Sequence, residues 1–275
     1  MGRTNISETR IKPEGTELLT LHVLRRERVS ESFARVTLGG GDIGKFRYMG
    51  FDQWFRLFIP VAEDSLSRLP NKFNTLAYAK YLAISKTSRP VLRNYSVSGY
   101  RADGQEGPEL DVDFVLHGSQ ETGDAGPAAK WALSCSPGDA VAIFDEGVGF
   151  NPEASLRDVF LVSDETGLPA TAGVLASLPT EAAGTAIIEV PAEDDRRDLP
   201  APAGIEVRWI VRTAGNAMPG SAVLAAVRDM PVPATPFYGW AVGEQALATG
   251  VRRHWTRNGV PKENIMFCGY WRNKH

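Results

Sequence analysis

The sequence predicts an antiparallel β-barrel followed by a parallel-sheet α/β domain, and three observations carry that prediction. From about Leu18 to Phe150 the chain shows short β-type runs separated by Gly, Pro, Asp and Ser turns. After Asn151 the rhythm becomes strand, helix, strand, with near-continuous apolar strands of the kind buried on both faces. The 275 residues, 43% of them hydrophobic, are enough for two ordinary domains with well-filled cores.

The barrel runs are "LLTLHVL", "FARVTLGG", "WFRLFIPV", "LRNYSVSGY", "LDVDFVLH" and "DAVAIF". Their even spacing and turn residues fit a small closed or nearly closed antiparallel sheet. Residues 74–88, "NTLAYAKYLAISKTS", break the pattern as a helix or a long loop ending before Pro90, and read as an insertion near a site. The second half offers "DVFLVS", "TAIIEV", "EVRWIV", "FYGWAV" and "NIMFCGYW" as strands, with "PATAGVLASL", "AVLAAVRDM" and "QALATGVRRHWTRNG" as helices. "PAEDDRRDLPAPAG" reads as a solvated loop. The change of rhythm places the domains at 16–150 and 151–275, and the cleft between two such domains is a common place for a ligand.

Composition narrows the function classes. Thirty basic against 33 acidic residues give a formal charge of −3, without the overall basic excess of a dedicated nucleic-acid binder. Cys135 and Cys268 are the two cysteines and stand far apart, so no disulfide framework or thiolate metal site is expected, and both read as core thiols. Four histidines, no G-x-S-x-G and no H-E-x-x-H disfavour a hydrolase. "MGRTNISETRIKPEG" lacks an apolar signal core and no apolar run is long enough to span a bilayer, so a cytoplasmic protein, most simply a monomer, is expected.

Two glycine-containing segments invite a phosphate reading. "GGGDIG", residues 39–44, matches G-x-G-x-x-G, but "KFRYMGF" follows it and is not a helix; a hairpin turn accounts for it. In "GPAAKWALS" a glycine and a proline open a helix directly after a strand, which puts free backbone N–H groups and a positive dipole end at Gly126–Ala129. Taken alone, that segment reads first as a plain helix cap. The turn in "SDETGLPA" follows a parallel strand, where open α/β sheets bind ligands, although an acidic helix cap explains it too.

"RNYS", "DFVLHG", "GPAAKWA", "PGDAVAIF", "SDETGLPA", "GWAVGEQ" and "GYWR" occur in the order and approximate spacing of the siderophore-interacting proteins, and the chain resembles that family from about residue 15 onward. The resemblance implies an FAD-binding barrel, a nicotinamide-binding α/β domain of the ferredoxin-reductase type, and reduction of ferric siderophores. It implies that Arg93 meets the flavin's phosphate region and that Tyr95, Ser96 and the adjoining Val97 lie by the isoalloxazine and ribityl group. Arginine offers a rigid fork of donors, tyrosine a flat apolar face, serine a small hydroxyl. By the same carry-over His117 lies near the adenine or ribityl side; Gly126, Pro127, Ala128 and Ala129 cradle the diphosphate, with Trp131 beside them. Asp164, Glu165 and Thr166 occupy the turn facing the nicotinamide, and Tyr270 and Trp271 stand near the flavin.

Ferric siderophores are commonly anionic, and Lys130, Arg253, Lys262 and Arg272 are the candidates for a basic rim that would attract them. The family's leading glycine is Ser163 here, and the turn at Asp145–Gly149 replaces a Gly-Pro-rich one. NADH, NADPH and reduced ferredoxin all remain open as donor, since "PAEDDRRD" carries both acids and arginines. A general flavin or ferredoxin reductase and a non-enzymatic flavin or siderophore carrier are the alternatives.

Overall fold

In a computed structural model that describes residues 5–15, 17–71, 75–116, 126–213 and 218–273, the chain forms two compact units. One holds residues 12–49 and 53–147; the other holds residues 5–11, 50–52 and 148–273.

After the short helix α1 (Ile6–Thr9), the first unit is built from β1 (Leu19–Arg28), β2 (Phe33–Gly39), β3 (Trp54–Ile59), helix α2 (Thr75–Ala83), β4 (Val91–Ser96), β5 (Gly99–Gly104), β6 (Gly107–Val115), α3 (Pro127–Ser134) and β7 (Ala140–Gly147). Its seven strands form one antiparallel sheet in the order β4-β3-β7-β1-β2-β6-β5. Alternating side chains fill the concave core with Leu21, Val36, Leu38, Phe55, Leu57, Val112 and Ile143. Helix α3 packs against β2, β6 and β4 and buries Ala128, Ala132 and its capping Cys135 in that core.

Two barrel segments differ from the sequence expectation. "LRNYSVSGY" is two strands, because the chain changes partners at Val97–Ser98: the Val97 N–H donates to the Gln53 carbonyl, and the Ser98 N–H to that of Asp111. The 74–88 insertion is helical over Thr75–Ala83, and Tyr81 pins it to the barrel by an edge contact with Phe58 (5.9 Å) and a 2.8 Å bond to the Pro90 carbonyl. "GGGDIG" is a turn followed by one 3-10 turn at Ile43–Lys45, with no helix to present to a phosphate.

The second unit continues with β8 (Asp158–Ser163), α4 (Leu168–Ser177), β9 (Ala183–Val190), β10 (Gly204–Val211), α5 (Ser221–Asp229), β11 (Phe237–Glu244), α6 (Gln245–Arg257) and β12 (Ile265–Trp271). All five strands are parallel, in the order β10-β9-β8-β11-β12. Residues Val159 and Leu161 face α4, while Phe160 and Val162 face α5 and α6, so both faces are covered as the apolar strand pattern requires. Among the described residues no helix is long and apolar enough to cross a membrane.

Candidate functional site

In the antiparallel unit β4 carries Arg93, Tyr95 and Ser96 and packs against α3, which carries Pro127, Ala128, Ala129 and Trp131 behind its capping Gly126. Register places Arg93 opposite Leu57, Tyr95 opposite Phe55 and Ser96 opposite Trp54. Alternation sets Arg93 and Tyr95 on one face of β4, and α3 packs against that strand. Phe114, which the sequence reading did not single out, links the aromatic residues: its ring lies 4.4 Å from that of Tyr95 and 5.7 Å from that of Trp131. Tyr95 and Trp131 are half-buried against the barrel core, and burial pushes the Tyr95 hydroxyl well above its usual range. Val97 is buried in the same core and Ser96 is half-buried.

Several features at the start of α3 fit a diphosphate. Helix α3 has Pro127 in its first turn and no side-chain cap, so its leading N–H groups have no partner from a capping side chain. Gly126 and Pro127 are exposed, and a Cβ at Gly126 would meet no atom of the described residues within 4 Å. Arg93 is exposed and, among the described residues, has no carboxylate partner; its one hydrogen bond goes to the Leu92 carbonyl at 2.8 Å. A dipole end and an uncommitted guanidinium beside an aromatic wall suit a dinucleotide such as FAD. Ala128 and Ala129 point their methyls into buried surroundings and could contribute only backbone. His117 lies outside the described residues.

In the parallel unit the strand order reverses between β8 and β11, so the crevice at their carboxyl ends is the place where such sheets bind ligands. The Asp164–Thr166 turn stands there, but its two acids face inward. Asp164 is fully buried and accepts bonds from the Thr166 N–H (2.9 Å), the Thr166 hydroxyl (2.5 Å) and the Glu244 N–H (2.6 Å). Burial and the neighbouring Glu165 raise its pKa to about 6. Gly243 (φ +125°) makes this possible, since a Cβ there would come within 2.6 Å of both carboxylate oxygens. Thr166 alone of the three keeps partial exposure. Ser163 turns its hydroxyl inward to Thr171 at 2.8 Å, so its departure from the family pattern is spent inside the fold.

Glu165 is also buried and meets Arg212 at 2.5 Å; Arg212 in turn binds Glu189 at 2.8 Å. Glu189 closes the network by accepting the Gly220 and Val223 N–H groups at 2.9 Å each, at the start of α5. Glu189 and Arg212 were missed by the sequence reading, although a glutamate inside the apolar run "TAIIEV" is a signal of a buried, partnered charge. Trp271 pairs in register with Glu244, which caps α6, so it shares the carboxyl edge with the Asp164 turn; Tyr270 packs against the α4-side core.

The three basic rim candidates of the parallel unit stand at two different edges of its sheet. Lys130 is exposed on α3 and Arg272 is exposed just beyond β12, at the carboxyl edge. Arg253 lies near the end of α6 and Lys262 in the turn leading into β12, which is the opposite edge of the parallel sheet. The Asp145–Gly149 turn is held by a buried Asp145, which accepts from Gly147 N–H (2.9 Å) and Gln53 Nε2 (2.9 Å).

Residues 22–149 match the siderophore-interacting FAD-binding domain, and residues 156–274 match the siderophore-interacting protein model. Ferric vibriobactin reductase ViuB of Vibrio cholerae is 29% identical over 177 residues, 64% of this chain and 60% of that protein. The crystal structure of a siderophore utilization protein from T. fusca superposes with a TM-score of 0.74 at 28% identity, covering 96% of each chain. Ferredoxin-NADP+ reductase from Plasmodium falciparum shares the fold at 12% identity, with a TM-score of 0.60 over 90% of this chain and 95% of that one. The chain spans about three fifths of the length of the curated relatives it matches.

Proposed function

Because the chain belongs to the siderophore-interacting protein family and carries its FAD-binding domain, we propose that it is an FAD-dependent reductase that passes electrons from NADH or NADPH to a ferric siderophore. The observation that carries this reading is that α3, whose start is exposed and lacks a side-chain cap among the described residues, packs against the strand of the exposed Arg93, with the Tyr95–Phe114–Trp131 aromatic wall between barrel and helix. FAD, when bound, supplies the conversion of a two-electron hydride donor into single-electron steps, which no side chain can perform.

The residues divide the remaining work. Arg93 and the N–H groups at Gly126–Ala129 hold the diphosphate, while Tyr95, Ser96 and Val97 border the ring system. In the parallel unit, the buried Asp164 fixes the shape of the turn at the switch crevice, and Thr166 presents the turn's exposed polar group to the donor. Asp164 and Glu165 act as positioning residues, since their carboxylates are committed to internal partners. Lys130 and Arg272 attract the anionic ferric chelate; Arg253 and Lys262 are left out because they stand at the far edge of the parallel sheet. Ferric iron suits hard oxygen donors, and reduction weakens that hold, so the protein needs no iron ligands of its own.

ViuB is named as a ferric vibriobactin reductase, which supports ferric vibriobactin as the first substrate to test. The test is steady-state turnover of the FAD-supplied protein with NADH and with NADPH, using a ferric siderophore, free flavin and ferredoxin in parallel as acceptors and a ferrous chelator to trap product. Turnover is expected to be fastest with the ferric siderophore. Faster turnover with free flavin or ferredoxin would replace this reading with a general reductase.

A further inference from the structure

The α/β unit carries a groove between α5 and α6 with a volume of about 550 Å³. Arg228 enters it from the last turn of α5, and Arg253, His254 and Arg257 from the last turns of α6, over the apolar surface of Leu224 and Gly250. Among the described residues no carboxylate lines it. Among the described residues, none of these three arginines has an ion-pair partner, whereas Arg25, Arg35, Arg101 and Arg212 each sit on one or two carboxylates. His254 keeps its ring Nε2 buried without a hydrogen-bond partner.

A basic residue in the last turn of a helix is ordinarily explained by the dipole, which amounts to about half a charge per helix end. That accounts for Arg228 and Arg257 singly. It does not account for three guanidinium groups sharing one groove with no counter-charge, in a chain whose net charge is −3. The groove runs along both helices from Ala246 in the first turn of α6, and its three arginines lie at the end toward the amino ends of the parallel strands, since α5 and α6 run back from the carboxyl edge where the switch crevice stands.

We propose that this groove binds a small phosphate ester with at least two negative charges, of nucleoside-diphosphate size, at a site distinct from those used in the redox reaction. Guanidinium forks match phosphate oxygens bidentately, and the volume falls in the range of small-molecule sites. The apolar surface of Leu224 and Gly250 suits the ligand's uncharged body. Among the described residues, neither α5 nor α6 exposes a large apolar side chain, so the groove lacks the anchor that a lipid surface or a protein partner would use.

The probe is ADP, titrated calorimetrically into the full chain supplied with FAD. Arg253 and Arg257 are exposed, so their replacement leaves the core intact. The R253Q/R257Q double variant should bind ADP at least about tenfold more weakly than the wild type, while K262Q, exposed at the same edge of the sheet but outside the groove, binds it unchanged. On the unmodified chain, ADP should slow hydrogen exchange in the last turns of α6. Equal ADP affinity in wild type and R253Q/R257Q, undetectable ADP binding to the wild type, or protection confined to the carboxyl edge would overturn the proposal. Phosphatidylserine vesicles form the second arm: arginine-dependent binding to them, with ADP binding indifferent to the same arginines, would overturn it as well.

Discussion

Charged side chains buried in pairs distinguish this molecule at the level of single residues, and they separate structural acids from those free to meet a ligand. In the parallel unit Arg212 is 11% exposed and lies between Glu165 and Glu189, both at 0%. Burial raises the Glu165 pKa and Arg212 draws it back down. Arg212→Met would leave two buried carboxylates without their cation, so a loss of roughly 3–5 kcal/mol is expected in urea unfolding at neutral pH. A loss under about 1 kcal/mol would mean that water reaches the network. In the barrel, Glu109 receives a two-pronged contact from Arg25 (3.0 and 2.7 Å) and a further bond from Arg101 (2.9 Å). The Arg25 hydrogen bonds, with those from Arg101, lower its pKa from 4.5 to about 2. A depressed carboxylate contributes its stability in full above the unfolded pKa and loses it as pH falls through the folded one. E109Q should therefore cost roughly 2 kcal/mol at pH 7. The difference from wild type should shrink between about pH 4.5 and 2. A difference that stays constant on acidification would contradict that assignment.

At the level of elements, the candidate cofactor site depends on one strand and one helix held together by the barrel core. Arg93 is presented by β4 and the free N–H groups by α3, and the two elements pack against each other. R93Q should weaken FAD binding by about tenfold, read by flavin fluorescence on titration, with thermal stability of the FAD-free protein unchanged. An unchanged affinity would remove Arg93 from the site. Most elements were legible because apolar alternation and turn residues mark strands that face a core. The break inside "LRNYSVSGY" was not, since a change of hydrogen-bonding partner at Val97 leaves the alternation intact. The inward aim of Asp164 was equally hidden: an acid before a helix reads alike whether it faces a ligand or caps the turn, and only Gly243, distant in sequence, makes room for it. The separation of Arg253 and Lys262 from Arg272 follows from parallel topology, in which residues close in sequence stand at opposite strand edges.

For the whole molecule, the parallel unit takes in two short segments that the change of rhythm near residue 150 does not mark. Residues 5–11 and 50–52 belong with the parallel sheet, the latter because Asp52 accepts from the Gly149 and Phe150 N–H groups (2.9 and 2.8 Å) and from Trp240 Nε1 (3.1 Å). Buried without a counter-charge, Asp52 has its pKa raised by burial despite those donors. Such long-range bonds leave no local mark in the sequence. The proposed activity requires both units, since the family's FAD-binding domain covers residues 22–149 and the reduction of iron needs a donor site besides. The most direct measurement is a stopped-flow one: the FAD-supplied protein is reduced anaerobically and mixed with a ferric siderophore while the flavin absorbance is followed. Prompt return of the oxidised flavin band is expected, with stoichiometric ferrous iron captured by a chelator. A flavin that stays reduced in the presence of bound ferric siderophore would contradict the proposed activity.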